Sequence, residues 1–255
     1  STALGSSSMV FSSSNWDIPK TITLTGQNDD VDDDNQSYNI ILSAMISADG
    51  NYSGTDVPDV SGTNQDDDTA EVLVSALGSM VTSESSAGAA SFTVVLASQP
   101  ASSVEVQIVS QDTSEGTVDL SSVVFNAVNW DDPVTVRVSP VDDDIDDDNV
   151  TYTVSLSAPI TTDPKYAALG DSDVDDVDVV NQDDDTAGFL ISDAGSLDTT
   201  EAGATDNFKL KLASQPTDNV TVNITSTDTG EVAMVTEQVV FTASNWSVNQ
   251  SIIVA

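Results

Sequence analysis

One short signature recurs three times in this chain and limits what it can fold into. Phe-x-x-x-Asn-Trp occupies Phe11 to Trp16, Phe125 to Trp130 and Phe241 to Trp246, so the tryptophans lie 114 and 116 residues apart. Other landmarks keep the same period. Asn-Gln-Asp-Asp-Asp-Thr-Ala stands at Asn64 to Ala70 and Asn181 to Ala187, and Leu-Ala-Ser-Gln-Pro at Leu96 to Pro100 and Leu212 to Pro216. A fixed period of this size marks a tandem array in which each repeat is one domain. The expected division is a partial repeat over 1–69, carrying the later part of a domain, a complete repeat over 70–186, and a partial repeat over 187–255, carrying the earlier part. No Pro-rich or Gly/Ser-rich spacer separates the repeats, so neighbours are expected to abut end to end.

The fold class follows from patterning within the complete repeat. Short runs rich in Val, Ile and Thr, bounded by turn residues, predict seven strands near 71–75, 92–97, 104–109, 122–126, 134–140, 150–157 and 177–181. Alternation is plain in Val134-Thr135-Val136-Arg137-Val138, and in Phe208-Lys209-Leu210-Lys211-Leu212 of the next repeat. Seven short strands per repeat imply all-β, immunoglobulin-like sandwich domains in tandem. The Phe and Trp of the signature hold a constant place relative to these strands, so they are expected to fill the core and not to form a sugar-stacking platform.

The chain carries 43 acidic and 5 basic residues, a formal charge of −38. That excludes binding to nucleic acid through phosphate contacts. It has neither Cys nor His, which removes thiol and triad chemistry, disulfides and zinc fingers, and leaves hard, oxygen-seeking cations as the metals it could serve. No apolar run is long enough for a membrane span, and the chain opens inside a repeat, as a mature product or a window on a longer protein would.

The acids are not spread evenly. Asp29 to Asp34, Asp66 to Asp68, Asp142 to Asp148, Asp171 to Asp178 and Asp183 to Asp185 hold 22 of the 43 within 27 residues. Like charges about 4 Å apart repel by roughly 4 kcal/mol at an effective dielectric of 20, and a divalent cation removes that cost. Calcium takes six to eight oxygens in irregular geometry and suits short Asp side chains on loops, whereas magnesium dehydrates reluctantly. A halophile's solvated surface would scatter its acids instead. No loop has the EF-hand spacing, so the ligands must converge from separate strand ends. A glycosidase carboxylate pair is a poor match, because runs of adjacent Asp lack an apolar pocket to raise one pKa.

The order of these motifs resembles the Calx-beta family, calcium-binding β-sandwich domains of sodium/calcium exchangers, integrin subunits and bacterial surface proteins. The carriers are Thr82-Ser83-Glu84-Ser85-Ser86-Ala87-Gly88, the loop Val141 to Asp148 leading to Tyr152, and the closing Asp183-Asp184-Asp185; Thr200-Glu201-Ala202-Gly203 repeats the first. The resemblance implies that Glu84, Glu115, Asp142, Asp143, Asp147, Asp183, Asp184 and Asp185 gather around calcium at one end of the sandwich. In the first repeat it implicates Asp29, Asp33, Asp66, Asp67 and Asp68, and in the last Glu201 and Glu231. Asp112 and Asp228 sit close to these acids in sequence. The chain departs from the family pattern at Asp147, where Glu is usual, at Val150, where a further Glu is usual, and at Asn28, which replaces the first Asp of its loop. The run from Asp171 to Asp178 has no counterpart.

These readings together predict a non-enzymatic, calcium-stabilised protein of the extracellular space or a bacterial cell surface, the stalk of an adhesin or the subunit of a filament. Its partners are calcium ions and either adjacent repeats or identical subunits packed head to tail, whose strands would complete the split repeats by strand addition. The rival reading is a non-catalytic spacer in a large secreted hydrolase.

Overall fold

A computed structural model describes residues 8–76, 80–85 and 88–255, and divides the chain into two compact units, Ser1–Asp68 and Thr69–Ala255. Ser86 and Ala87 of the Glu84 motif lie outside the described residues. The first unit contains one antiparallel pair, β1 (Gln36–Ile40) and β2 (Val60–Asn64), in register from Gln36 opposite Asn64 to Ile40 opposite Val60. Residues 8–35 form turns and irregular backbone although Ile22 and Leu24 alternate with threonines. A strand needs a ladder for its N–H and C=O groups, and no ladder lies beside this segment among the described residues. No described apolar side chain of this unit is buried; Phe11 is 50% and Trp16 71% exposed, against the expectation that the signature aromatics fill a core in every repeat.

The second unit opens with a complete sandwich. One sheet has the order β3-β5-β9-β7, from β3 (Val72–Ala76), β5 (Ala90–Leu96), β9 (Val134–Pro140) and β7 (Gly116–Val118). The other runs β11-β6-β10-β12-β4, with β8 also paired to β6. Its strands are β4 (Val81–Ser83), β6 (Val104–Ser110), β8 (Ser122–Phe125), β10 (Val150–Leu156), β11 (Ile160–Thr161) and β12 (Val177–Gln182). Every pairing is antiparallel except β4 with β12. The protein is thus all-β, and its core lies where the two sheets face. Phe92, Val94, Val136 and Val138 come from one side and Val104, Val106, Phe125, Val154 and Val179 from the other, all fully buried. Each such side chain contributes about 1.5–3 kcal/mol on burial. Seven strands were expected here and ten are present; β4, β7 and β11 are only two or three residues long, too short for period-two alternation to show.

The remaining strands, β13 (Phe189–Ser192), β14 (Asp206–Leu212), β15 (Val220–Asn223), β16 (Gln238–Phe241) and β17 (Gln250–Val254), form the sheet β13-β14-β17 and the pair β15-β16. A small core of Leu210, Leu212, Phe241 and Ile252 joins them. The signature motif has a structural reason beyond its Phe. Asn129 accepts from the Asn126 N–H at 2.7 Å and donates to the Val124 carbonyl at 3.2 Å, closing the turn after β8. Asn245 does the same with Thr242 and Val240. The carbonyls of Trp130 and Trp246 then accept from Leu96 and Leu212, each at 3.0 Å.

Candidate metal centre

At one end of the complete sandwich, three loops and a strand terminus meet around Asn181. The parallel register of β4 on β12 sets Ser83 beside Gln182, and the Glu84 N–H donates to the Gln182 carbonyl at 3.0 Å, which brings Glu84 next to the Asp183 triplet. The Val141 N–H donates to the Glu115 carbonyl at 3.0 Å and ties the acidic loop after β9 to the turn before β7. Thr82 donates its hydroxyl to Asn181 Oδ1 at 2.9 Å. The Asn181 amide nitrogen then faces Glu84 Oε1 at 2.9 Å, Glu115 Oε2 at 3.3 Å and the Val141 carbonyl at 3.3 Å. Two amide hydrogens serve three acceptors, so this neutral residue holds two buried carboxylates together. Sequence reasoning missed Asn181 and Thr82. The available signal was the Asn that precedes each closing triplet, at 64 and 181.

Glu84 is 4% exposed and its Oε2 has no hydrogen-bond partner among the described residues. Around it, carboxylate oxygens of Asp142 and Asp184 form one group, and those of Asp183 and Asp185 another, each group with its oxygens within 4.8 Å of one another. Two oxygens bound to one calcium at about 2.4 Å lie at most about 4.8 Å apart. Burial, followed by the charges of Asp143, Asp183, Asp147 and Glu115, pushes the Glu84 carboxyl up to about 7. Burial also raises Glu115, against the lowering hydrogen bond from Asn181. Asp147 rises through burial and the charges of Asp143 and Asp183, and Asp185 through burial and Asp144. Arg137 lines a neighbouring cleft with Glu84 and Asp142. The donor set is all oxygen, crowded and short of positive charge, and a hard divalent cation fits it; Glu84, Asp142, Asp183, Asp184 and Asp185 are the residues that would hold it, with Glu115 beneath.

The other acids differ. Asp143 lies near the group, but its Oδ1 accepts from the Ile145 N–H at 2.7 Å. Asp112 Oδ1 accepts from the Ser114 backbone and hydroxyl, which lowers its carboxyl, so it serves a turn. Asp228 serves the matching turn at Gly230. In the first unit, Asp29, Asp33, Asp66, Asp67 and Asp68 line one cavity with Asn64. Its loop copies that of the complete sandwich. Asp34 and Asp148 have φ of 63° and 65°. Asn35 and Asn149 accept from Asp66 and Asp183, and Asp66 and Asp183 accept from Asp68 and Asp185. Burial and its neighbours Asp67 and Asp66 raise Asp68. Glu201 and Glu231 are exposed and belong to no metal-spaced acid group among the described residues. The Asp171 to Asp178 run is a set of braces: Asp171 accepts from Ala158, Asp173 from Gly170, Asp176 from Leu156 and Asp178 from Thr153.

No protein-family model matches the chain, and no curated protein matches it. Among the solved structures that are similar in part are the following two. The crystal structure of CBD12 from CALX1.2 has 18% identity and a TM-score of 0.31, over 71% of this chain and 73% of that one. Domains 4–9 of the surface layer protein SbsC have 11% identity and a TM-score of 0.29, over 91% of this chain and 36% of that one. At scores this low the site is read from its own residues.

Proposed function

We propose that this chain is a calcium-stabilised structural protein of the extracellular space, built from repeats over 1–69, 70–186 and 187–255, and serving as an adhesin stalk or a filament subunit. The observation that carries the reading is Glu84 Oε2: a buried carboxylate oxygen with no donor among the described residues, on an acid grouped with Asp142 and Asp184 and with Asp183 and Asp185. An unpaired buried charge is strongly destabilising unless it neutralises or coordinates a metal. When bound, calcium supplies the missing positive charge and takes no part in chemistry on a substrate. The site sits against the start of the last repeat. Asp146 Oδ2 accepts from the Ala187 N–H at 2.6 Å and the Asp144 carbonyl from the Gln215 N–H at 2.6 Å, so an ion that orders this loop also orders the junction. Among the described residues no helix is long and apolar enough to cross a membrane.

The test is thermal unfolding at constant ionic strength in calcium, in magnesium and in chelator. The reading expects a large rise in melting temperature specific to calcium. Equal melting in all three, with recovery only in concentrated salt, overturns it.

A further inference from the structure

Arg137 is the only arginine in the chain. It lies on β9 opposite Ser91 of β5, exposed between the buried Val136 and Val138. Its backbone is tied to Asp119: the Arg137 N–H donates to Asp119 Oδ1 at 2.8 Å, and its carbonyl accepts from the Asp119 N–H at 3.1 Å. The guanidinium enters no ion pair among the described residues, although acids outnumber cations 43 to 5 in this chain.

Arg137 lines a cleft with Glu84 and Asp142, and with the small residues Gly88, Ala89 and Ser139. Glu84 and Asp142 belong, with Asp184, to one carboxylate group of the candidate metal centre. Glu84 is 4% exposed, and its Oε2 has no partner among the described residues. The cleft therefore joins a cation in no ion pair to a buried acid oxygen without a donor. A β-carbon at Gly88 would meet the Ser83 amide nitrogen at 2.8 Å, so the backbone there runs close to β4 and, with Ala89, has nothing longer than a methyl group to fill the cleft.

Glu84, Asp142 and Asp184 bring one oxygen each within metal spacing. Calcium takes six to eight oxygens, so an ion held by these three draws roughly half of its shell from other donors. Three carboxylates also outweigh a divalent ion by one charge, which the Arg137 guanidinium offsets. An incoming carboxylate serves both groups, with one oxygen on the ion and the other accepting from the guanidinium, whose planar fork matches it. A neutral hydroxyl would serve the ion alone, and a phosphate would add a second negative charge that nothing in the cleft offsets.

We propose that this cleft binds a carboxylate ligand, an acidic side chain of a partner protein or a free carboxylic acid, held jointly by calcium and Arg137. The proposal rests on the calcium reading above and gives that structural ion a role in recognition.

A single arginine gives a single arginine side-chain N–H peak in the NMR spectrum of the full chain, and that peak is the readout. A capped Gly-Asp-Gly peptide, its Gly-Asn-Gly counterpart and sodium acetate are each titrated in millimolar calcium, in magnesium and in chelator at constant ionic strength. The Asp peptide is expected to move the Arg137 peak and the Gly88 and Ala89 amides saturably, in calcium alone, while the Asn peptide moves neither. Saturation by acetate at the same concentration assigns the cleft to free carboxylates, and saturation by the peptide alone assigns it to a protein partner. Arg137→Gln is expected to weaken the peptide's effect on the Gly88 and Ala89 amides by roughly tenfold, the scale of a lost hydrogen bond to a charged group. It should still melt higher in calcium. Equal movement with the Asn peptide or in chelator, or a Gln variant that binds as wild type does, overturns the proposal. No movement while the calcium-specific melt persists overturns the carboxylate site and leaves the calcium reading intact. Absence of that melt in wild type overturns the calcium reading, and this proposal with it.

Discussion

Glu84 meets two demands that conflict without an ion: its Oε1 is fixed by Asn181, while its Oε2 is buried near several other carboxylates with no donor among the described residues. Its folded value near 7 against an ordinary 4.5 fixes the sign of a pH effect in the calcium-free protein. Below the ordinary value the carboxyl is protonated in both states and the stabilisation is fully present. It is lost as pH rises through the folded value. Calcium-free melting should therefore fall between roughly pH 5 and pH 7.5. Glu84→Gln should flatten that slope, melt above wild type in chelator at the upper pH, and lose much of the calcium response. A Gln variant that melts lower in chelator as well would show that this carboxylate is not under strain. Asn181→Ala, which strips the shared donor from Glu84 and Glu115, should destabilise by about 1.5–3 kcal/mol, the range for hydrogen bonds to charged groups, and chemical denaturation in calcium measures it. The sequence made the acids legible because they repeat in position. It hid the neutral partners, since an Asn or Thr at a strand end looks the same whether it holds two carboxylates or faces water.

A strand's fate depends on its neighbour more than on its own pattern, and the signature motif shows this. Phe125 ends a β8 that is paired to β6 and is fully buried, whereas Phe11 heads a segment with no ladder among the described residues and is half exposed. Phe125→Ala should therefore cost about 3–5 kcal/mol through cavity formation, and Phe11→Ala in the monomeric chain less than about 0.5 kcal/mol, as for exposed sites. Melting temperatures of the two variants side by side measure the contrast; equal losses would mean that residues 8–35 pack as tightly as the sandwich. The same logic sets what sequence could say about elements. The long strands β5, β6, β9, β10 and β12 alternate over six or seven residues, and their pattern was readable. β4 and β7 are three residues long and exist because a neighbour's edge accepts them: β4 lies on β12, β7 on β9. The partner of a strand is tertiary information, absent from the local pattern in both cases.

At the scale of the molecule, a charge of −38 raises the question of whether calcium acts as a ligand or merely as a screening salt. The junction within Thr69–Ala255 separates the two. Its amide hydrogen bonds, from the Ala187 N–H to the Asp146 carboxylate and from the Gln215 N–H to the Asp144 carbonyl, are made to the same loop that contributes Asp142 to the candidate site. If an ion bridges Asp142 and Asp184 through Glu84, the loop is pinned from within and these amides are protected from exchange. If charge repulsion alone is at issue, concentrated monovalent salt, which shortens the screening length to about 3 Å at 1 M, protects them equally well. Hydrogen exchange over peptides covering 183–190 and 213–217 should therefore slow by tenfold or more in millimolar calcium, the equivalent of about 1.4 kcal/mol of opening free energy. It should remain fast in magnesium and in molar sodium chloride. Asp184→Asn, which removes one oxygen donor while relieving repulsion, makes the two accounts predict opposite signs: the ligand account expects faster exchange in calcium, the screening account slower exchange in chelator and no change in calcium. A coordinating acid and a crowded one differ in what their removal does, and that difference can be read at two amides outside the site.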